Sequence, residues 1–376
     1  MAGTPGAGPP ELAKDNPRDQ PDTPEPQNYA ARIEDYALIG DCHSAALVSR
    51  DGSIDWLCWP RFDSPACFAA LIGTENNGRW RIGPADPPVR VHRHYRPGTM
   101  ILETIFETAD GSVALIDFMT ATSGNSSVVR IVEGRTGRVA MRLDLALRFD
   151  YGSAIPWVTQ LQHRTGLRAI AGPDLVLLAG GARLHGQKLT TVAEFAVTAG
   201  ERVPFVMSHG KSHDPDPVVP NADQALEEIE AGWAAWSVRC TYDGEWREAV
   251  HRSLLTLKAL TYYPTGGIVA APTTSLPELP GGQRNWDYRY CWLRDATFTL
   301  LALSHAGYRE EAQSWGSWLR RSVAGTPSQI QTLYGLAGER WLMEWEVPWL
   351  AGYRGARPVR IGNAAAPRCS SMCMAS

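Results

Sequence analysis

The chain has 376 residues, 20% of them charged, and a formal net charge of −4. That length accommodates two ordinary domains, each with its own core, and the charge balance indicates no nucleic acid or other polyanion as partner. No apolar run approaches the length needed to cross a bilayer, so no membrane partner is expected.

The opening stretch, MAGTPGAGPPELAKDNPRDQPDTPEPQ, is rich in Pro, Gly and charge and has no apolar segment of the signal-peptide kind. It predicts a disordered tail over residues 1–28. From 29 to 210 the pattern is that of strands. Apolar runs flank Arg50-Asp51-Gly52-Ser53 and again Asp110-Gly111, and Asp-Gly at such positions signals a hairpin because glycine accepts positive φ. In RVAMRLDLALRFDYG, Val139, Met141, Leu143, Leu145, Leu147 and Phe149 alternate with Arg138, Arg142, Asp144, Arg148 and Asp150. This period of two predicts a strand with one buried and one wet face. Many short strands joined by Gly-containing turns predict a β-sandwich of antiparallel sheets.

The segment KSHDPDPVVPNAD breaks the pattern, and residues 211–240 read as a linker and linker helix, capped by Asn221 or Asp223. After Cys240 the period becomes helical. Trp246, Val250, Leu254, Leu257 and Thr261 fall on one face, and Pro264, Gly266 and Gly267 end that helix. A long loop to about residue 290 precedes two more helices, through ATFTLLALSHAG and REEAQSWGSWLRRSVAG. Irregular loops of that size in compact domains usually line a site.

Ten of the fourteen tryptophans lie between Trp233 and Trp349, which suits either a Trp-rich helical core or flat platforms for sugar rings. The seven cysteines form no Cys-x-x-Cys pair and stand near no His cluster. The expectation is therefore no metal, no cofactor, reduced thiols and a cytoplasmic setting.

The sharpest constellation lies where the long loop meets a helix, in RNWDYRYCWLRDATFTLLAL, residues 284–303. Asp295 can accept from adjacent hydroxyls, Arg294 donates several hydrogen bonds in one plane, and Trp292 can cover an apolar ring face. Such a set suits neutral vicinal hydroxyls better than phosphate, which Asp295 would repel. Chemistry alone leaves a second reading open, an Arg-Asp pair that only ties down the helix start above a core Trp292. Trp286, Tyr288 and Tyr290 add weight to a ligand site without deciding it.

Three long blocks in register carry a resemblance. YALIGDCHSAALVSRDGSIDWLCWPRFDSPACFAALIG, the 284–303 stretch, and LYGLAGERWLMEWEVPWLAGYRGARPVRIGNAA together resemble bacterial glycoside hydrolase family 15, the glucoamylase/trehalase-like group with a trehalase-like N-terminal domain. The likeness runs from roughly residue 30 to 366. It implies a β-sandwich followed by an (α/α)6 barrel of six helical hairpins, and inverting hydrolysis of a terminal α-glucosidic bond in an α-glucoside or oligosaccharide. Carried over, the family's Trp-x-Arg-Asp element falls on Trp292, Arg294 and Asp295, where Arg and Asp hold the nonreducing glucose. Its Arg-Pro-x-Arg-x-Gly-Asn element falls on Arg357, Pro358, Arg360, Gly362 and Asn363, with Arg360 and Asn363 as contacts at the same rim. Trp59, Arg61 and Asp63 are candidates for an N-terminal loop leaning over the barrel, against turn and packing roles.

Inverting hydrolysis needs two carboxyl groups about 6.5–9.5 Å apart. The resemblance implies two glutamates from later loops, and it stops at Ala366, before PRCSSMCMAS. The expectation is a partial barrel over 241–366, a divergent tail over 367–376 from a frameshift or premature end, unknown catalytic residues and negligible hydrolysis. Glu344 and Glu346 form the only tempting local pair, with salt bridging as the alternative, and Asp287 is a further sugar contact to consider. His43, His92 and His94 have no nucleophile nearby. Two other readings compete: a non-catalytic glucan- or trehalose-binding or interaction protein, and a phosphorylase, for which no phosphate cluster stands out. Oligomeric state is left open.

Overall fold

The computed structural model describes residues 31–122, 124–162 and 165–365. The predicted tails at 1–28 and 367–376, with Cys369 and Cys373, lie outside the described residues. Fifteen strands form one connected network: β1 Ala37–Gly40, β2 Ala45–Val48, β3 Ser53–Cys58, β4 Ala66–Phe68, β5 Arg79–Pro84, β6 Arg90–Tyr95, β7 Leu102–Thr108, β8 Gly111–Thr122, β9 Asn125–Ala146, β10 Trp157–Gln160, β11 Gly166–Ala171, β12 Asp174–Gly180, β13 His185–Gln187, β14 Thr190–Thr198 and β15 Arg202–Lys211. Its main path runs β1-β2-β3-β5-β9-β15-β12-β11-β10. Every pairing is antiparallel, and both Asp-Gly hairpins form as the sequence predicts, β2 with β3 and β7 with β8.

The long strand β9 connects the two halves. Its first half pairs with β8 and β15, its second with β5 and β14. The change of partners falls at Gly134–Gly137. A Cβ on Gly134 would collide with the Thr198 carbonyl, and Gly137 sits at φ +63 against the Asp110 carbonyl. Glycine alone lets the strand turn that corner. The halves share one core, which takes Trp80 and Ile82 of β5, Leu143 and Leu145 of late β9, and Phe106, Leu115, Leu178 and Phe205 from the other half. Each such fully buried side chain stabilises by roughly 1.5–3 kcal/mol. The predicted alternation in β9 and beyond holds, with Val139 through Phe149 buried. Arg148 departs from it: it is buried instead of facing water.

Helix α1, Ala222–Ser237, starts on Asn221, whose side chain accepts from the Asp223 and Gln224 amides. It lays Ala222, Ala225 and Leu226 on the outer face of β8, β9 and β15. Then come α2 Arg247–Ala259, the short pair β16 Thr261–Tyr262 and β17 Gly267–Ile268, β18 Cys291–Trp292, α3 Leu293–His305, α4 Arg309–Ser322, β19 Leu333–Tyr334, β20 Trp345–Glu346 and β21 Arg360–Ile361. Trp246, expected on the apolar face of α2, is exposed because it precedes the helix with non-helical dihedrals; Leu254, Leu255 and Ala259 fill the face instead. The helices meet at Glu311 of α4, which is buried and accepts from Trp236 Nε1 at 2.7 Å, Lys258 at 3.1 Å and Arg239 at 3.3 Å.

Helices and strands share cores. Ala45 and Phe62 pack with Trp318, Tyr334 and Cys291, and Trp56 and Tyr151 pack with Leu350 and Tyr353. Other apolar side chains remain bare: Phe298 and Leu301 of α3, and Trp341 and Met343 beyond β19. Among the described residues no helix is long and apolar enough to cross a membrane.

Candidate functional site

The predicted long loop, 269–290, doubles back on itself. Ala270 and Ala271 donate to the Tyr290 and Tyr288 carbonyls, and Ser275 donates to that of Trp286. Thr274 and Ser275 hydroxyls also donate to the Arg360 carbonyl at 2.6 and 2.9 Å. The returning arm delivers Trp292 to the N-cap of α3, with Arg294 and Asp295 in its first turn. An acid there is favoured by the helix dipole.

Arg294 is exposed, and Trp292 and Asp295 are half-buried. Arg294 Nη2 lies 3.2 Å from Asp295 Oδ2, with the side chains 68% and 41% exposed, and the guanidinium carbon sits 5.7 Å from the Trp292 ring centroid. An ion pair this exposed contributes about 0–1 kcal/mol, too little to be what holds the helix start. Tyr288 tilts against Trp292 at 6.1 Å. Two polar atoms at this lip are buried and have no hydrogen-bond partner among the described residues, Trp292 Nε1 and Asp295 Oδ2; the contact to Arg294 lacks hydrogen-bond geometry. What the lip offers a ligand is the exposed remainder of the two charged side chains, a guanidinium that donates and a carboxylate that accepts.

Trp286 and Arg360 form a second group. The guanidinium of Arg360 lies 4.6 Å over the Trp286 ring, and its Nη1 donates to the Gln283 carbonyl at 3.0 Å. Glu344 and Glu346 flank it at 3.6 and 3.5 Å, the latter directly opposite Arg360 across β20 and β21. The two glutamates therefore neutralise Arg360 rather than face each other across a bond to be cleaved. Asn363 is buried. Its Nδ2 donates to the Asp287 carbonyl, and its Oδ1 accepts from Ala365, both at 3.0 Å. It shapes the loop and does not reach the rim.

Asp287 corrects the sequence reading. It is fully buried and paired with Arg289, whose Nε and Nη2 donate to its two oxygens at 2.9 and 2.7 Å. No sugar reaches it. Arg289 also donates to the Ser64 carbonyl and the Tyr151 hydroxyl, each at 2.9 Å, so it crosses to the strand half. Asp287 in turn accepts from Gly362 at 3.1 Å. Burial opposes the charge on Arg289, but Asp287 and its other neighbours hold the guanidinium well above its ordinary range. This clamp fastens both loops of the site to the strands. Sequence reasoning overlooked Arg289, although Asp-x-Arg in an extended segment places both side chains on one face.

The N-terminal candidates take turn and packing roles. Arg61 pairs with Asp63 at 2.8 and 2.7 Å and with Glu339 at 2.9 Å, while Trp59 is buried and donates to Ser126. His92 and His94 pair with Glu107 and Glu103 on β7, and His43 lies against the Asp41 carbonyl. Tyr290 is buried beside Leu333.

Comparison with known proteins gives consistent matches. The sequence profile described as "Trehalase-like, N-terminal" matches residues 27–225, and "Glycosyl hydrolases family 15" matches residues 244–369. A trehalase of Mycolicibacterium smegmatis is 36% identical over 372 aligned residues, covering 91% of this chain and 55% of that protein. A trehalase of Thermoplasma acidophilum is 35% identical over 326, covering 85% and 55%. The chain thus spans about half the length of these relatives. Among solved structures, a bacterial glucoamylase complexed with acarbose superposes with a TM-score of 0.58 at 13% identity, over 83% of this chain and 53% of that one. That likeness speaks for the fold alone.

Proposed function

The chain belongs to glycosyl hydrolase family 15 with a trehalase-like N-terminal domain, and from that membership we propose that Trp292, Arg294 and Asp295 bind the terminal glucosyl ring of an α-glucoside. The observation that carries this reading is the exposure of the Arg294 and Asp295 side chains, 68% and 41%, in the first turn of α3 beside the Trp292 ring. Trp286 and Arg360 extend the surface on which further hydroxyls could sit. Trehalose is the first substrate to test, because the relatives are named for it. Maltose, isomaltose and starch ends present the same ring.

The reaction class is inverting hydrolysis. Water attacks the anomeric carbon from the face opposite the glycosidic oxygen, a base carboxylate takes the water's proton, and an acid carboxyl protonates the leaving oxygen. Among the described residues the neighbouring carboxylates are all engaged: Asp287 with Arg289, Glu344 and Glu346 with Arg360, Glu339 with Arg61, and Glu278 with Arg284. We read this 376-residue polypeptide as a glycoside hydrolase fold that binds an α-glucoside with negligible hydrolysis, and the alternative is a glucan- or trehalose-binding module. In architecture we read 29–210 as a sandwich domain bent through β9, 211–240 as the linker and its helix, and 241–366 as the first helices of an (α/α)6 barrel. The superposition on glucoamylase supports that reading. Five unpaired cysteines among the described residues support a reducing, cytoplasmic setting.

The test is glucose release from trehalose and maltose, followed with a coupled glucose assay. The expected rate for this polypeptide equals that of buffer. A rate well above it, abolished by Asp295→Ala, would overturn the assignment of a binding role without cleavage.

A further inference from the structure

A cleft of about 450 Å³ opens on the strand half, between the β10–β11 and β13–β14 hairpins and the end of β9. Leu145, Leu147, Ile155, Leu167 and Leu184 give it aliphatic walls, and Thr159, Gln160, Gln187 and Thr191 add polar groups. No Trp, Tyr or Phe lines it, which sets it apart from a sugar-stacking surface. None of its residues belongs to the 284–303 stretch or the 357–363 loop, so a ligand held here is independent of the α-glucoside reading.

One buried cation is built into this wall, while exposed Lys188 and His185 also line it. Arg148 is only 7% exposed. Its Nη1 donates to the Leu147 and Leu189 carbonyls at 2.8 and 3.1 Å. Its Nε and Nη2 make no hydrogen bond among the described residues, and no described carboxylate pairs with it; burial alone acts on its charge and lowers its affinity for a proton. A buried charge without a counter-ion is costly, and the free side-on edge of a guanidinium has the two-donor geometry that a carboxylate matches. The turn that Arg148 holds is itself strained. Lys188 and Leu189 sit at φ 49 and 62, where neither residue type is at ease. That turn places Leu189 at the mouth of the cleft, with half-exposed Val158 also lining it.

We propose that this cleft binds an anionic amphiphile, a carboxylate head on an aliphatic body, with the Nε and Nη2 edge of Arg148 gripping the head and the leucines covering the chain. The cleft is of the size and apolar character of small-molecule sites, and a single buried cation balances a single negative charge.

Calorimetry on the 376-residue chain with octanoate, 1-octanol and inorganic phosphate tests this. Octanoate should bind at one site, about tenfold or more tighter than octanol, the difference expected of one charge-assisted bidentate pair. Arg148→Gln should erase that preference while leaving octanol binding within about twofold, since the apolar wall is unchanged. Val158→Trp, at a half-exposed position, should weaken both ligands. Should Arg148→Gln fail to fold, the octanoate-to-octanol ratio of the unaltered chain and the Val158→Trp result decide between the same outcomes. Equal affinity for the two amphiphiles, a preference that survives Arg148→Gln, or no effect of Val158→Trp would overturn the assignment. Phosphate binding as tight as octanoate would also overturn it, by making the site a simple anion hole.

Discussion

Replacing Arg289 with methionine removes the cationic partner of a carboxylate that has no access to water. Both side chains are 0% exposed, and Asp287 would keep only its bonds from the Arg289 and Gly362 amides. The Ser64 carbonyl and Tyr151 hydroxyl would lose a donor as well. Breaking a buried pair from one side costs about 3–5 kcal/mol, mainly because the remaining charge is stranded. At roughly 2–4 °C per kcal/mol, the melting temperature should fall on the order of 10 °C. The double substitution Asp287→Asn with Arg289→Met removes the stranded charge and should recover part of the loss, leaving about 1–3 kcal/mol for hydrogen bonds not remade. Thermal melts by circular dichroism, with hydrogen exchange at 285–292 and 360–363, measure both effects. The reasoning is refuted if the double variant is less stable than Arg289→Met, or if the single variant melts with the unaltered chain.

The meeting point of the helices should be acid-sensitive. Burial raises the Glu311 carboxyl, but hydrogen bonds and charge from Trp236 and Lys258 outweigh it and hold the group below the usual glutamate value. Its contribution is therefore complete above that value and is lost as pH falls through the lowered one; Glu311→Gln should flatten the acid limb of a near-ultraviolet dichroism titration. Burial pushes the Cys58 thiol up to about 11 and also raises those of Cys67 and Cys291. Iodoacetamide at pH 8 should leave all three unmodified in the folded chain and label them in urea, as read by peptide mass spectrometry; rapid labelling of any of them when folded would contradict their burial.

The features legible in the sequence are those set by local rules. The alternation from Val139 to Phe149, the Asp-Gly turns and the Asn221 cap each depend on residues within a few positions of one another, and each appears where the pattern puts it. The meeting of the long loop with a helix at Arg294 and Asp295 was legible for the same reason, although α3 begins at Leu293, ahead of the apolar run that signals it. Long-range features were not. Nothing in β9 announces that one strand serves both halves, because Gly134 and Gly137 matter only once Thr198 and Asp110 lie against them. Asp287 was read as a sugar contact because its partner's reach to Ser64 and Tyr151 spans most of the chain. Arg148 looked like one more wet-face arginine in an alternating strand; its burial depends on the β13–β14 turn folding over it.

The central claim is that the lip at Trp292, Arg294 and Asp295 holds a terminal glucosyl ring, and calorimetric titration of trehalose into the unaltered chain and into Asp295→Ala tests it most directly. The account predicts saturable binding that weakens about tenfold or more in the variant, as expected when a charged acceptor of hydroxyl hydrogen bonds is removed, with the melting temperature nearly unchanged because the Arg294–Asp295 pair is exposed. Trehalose affinity that is the same in both proteins would contradict it.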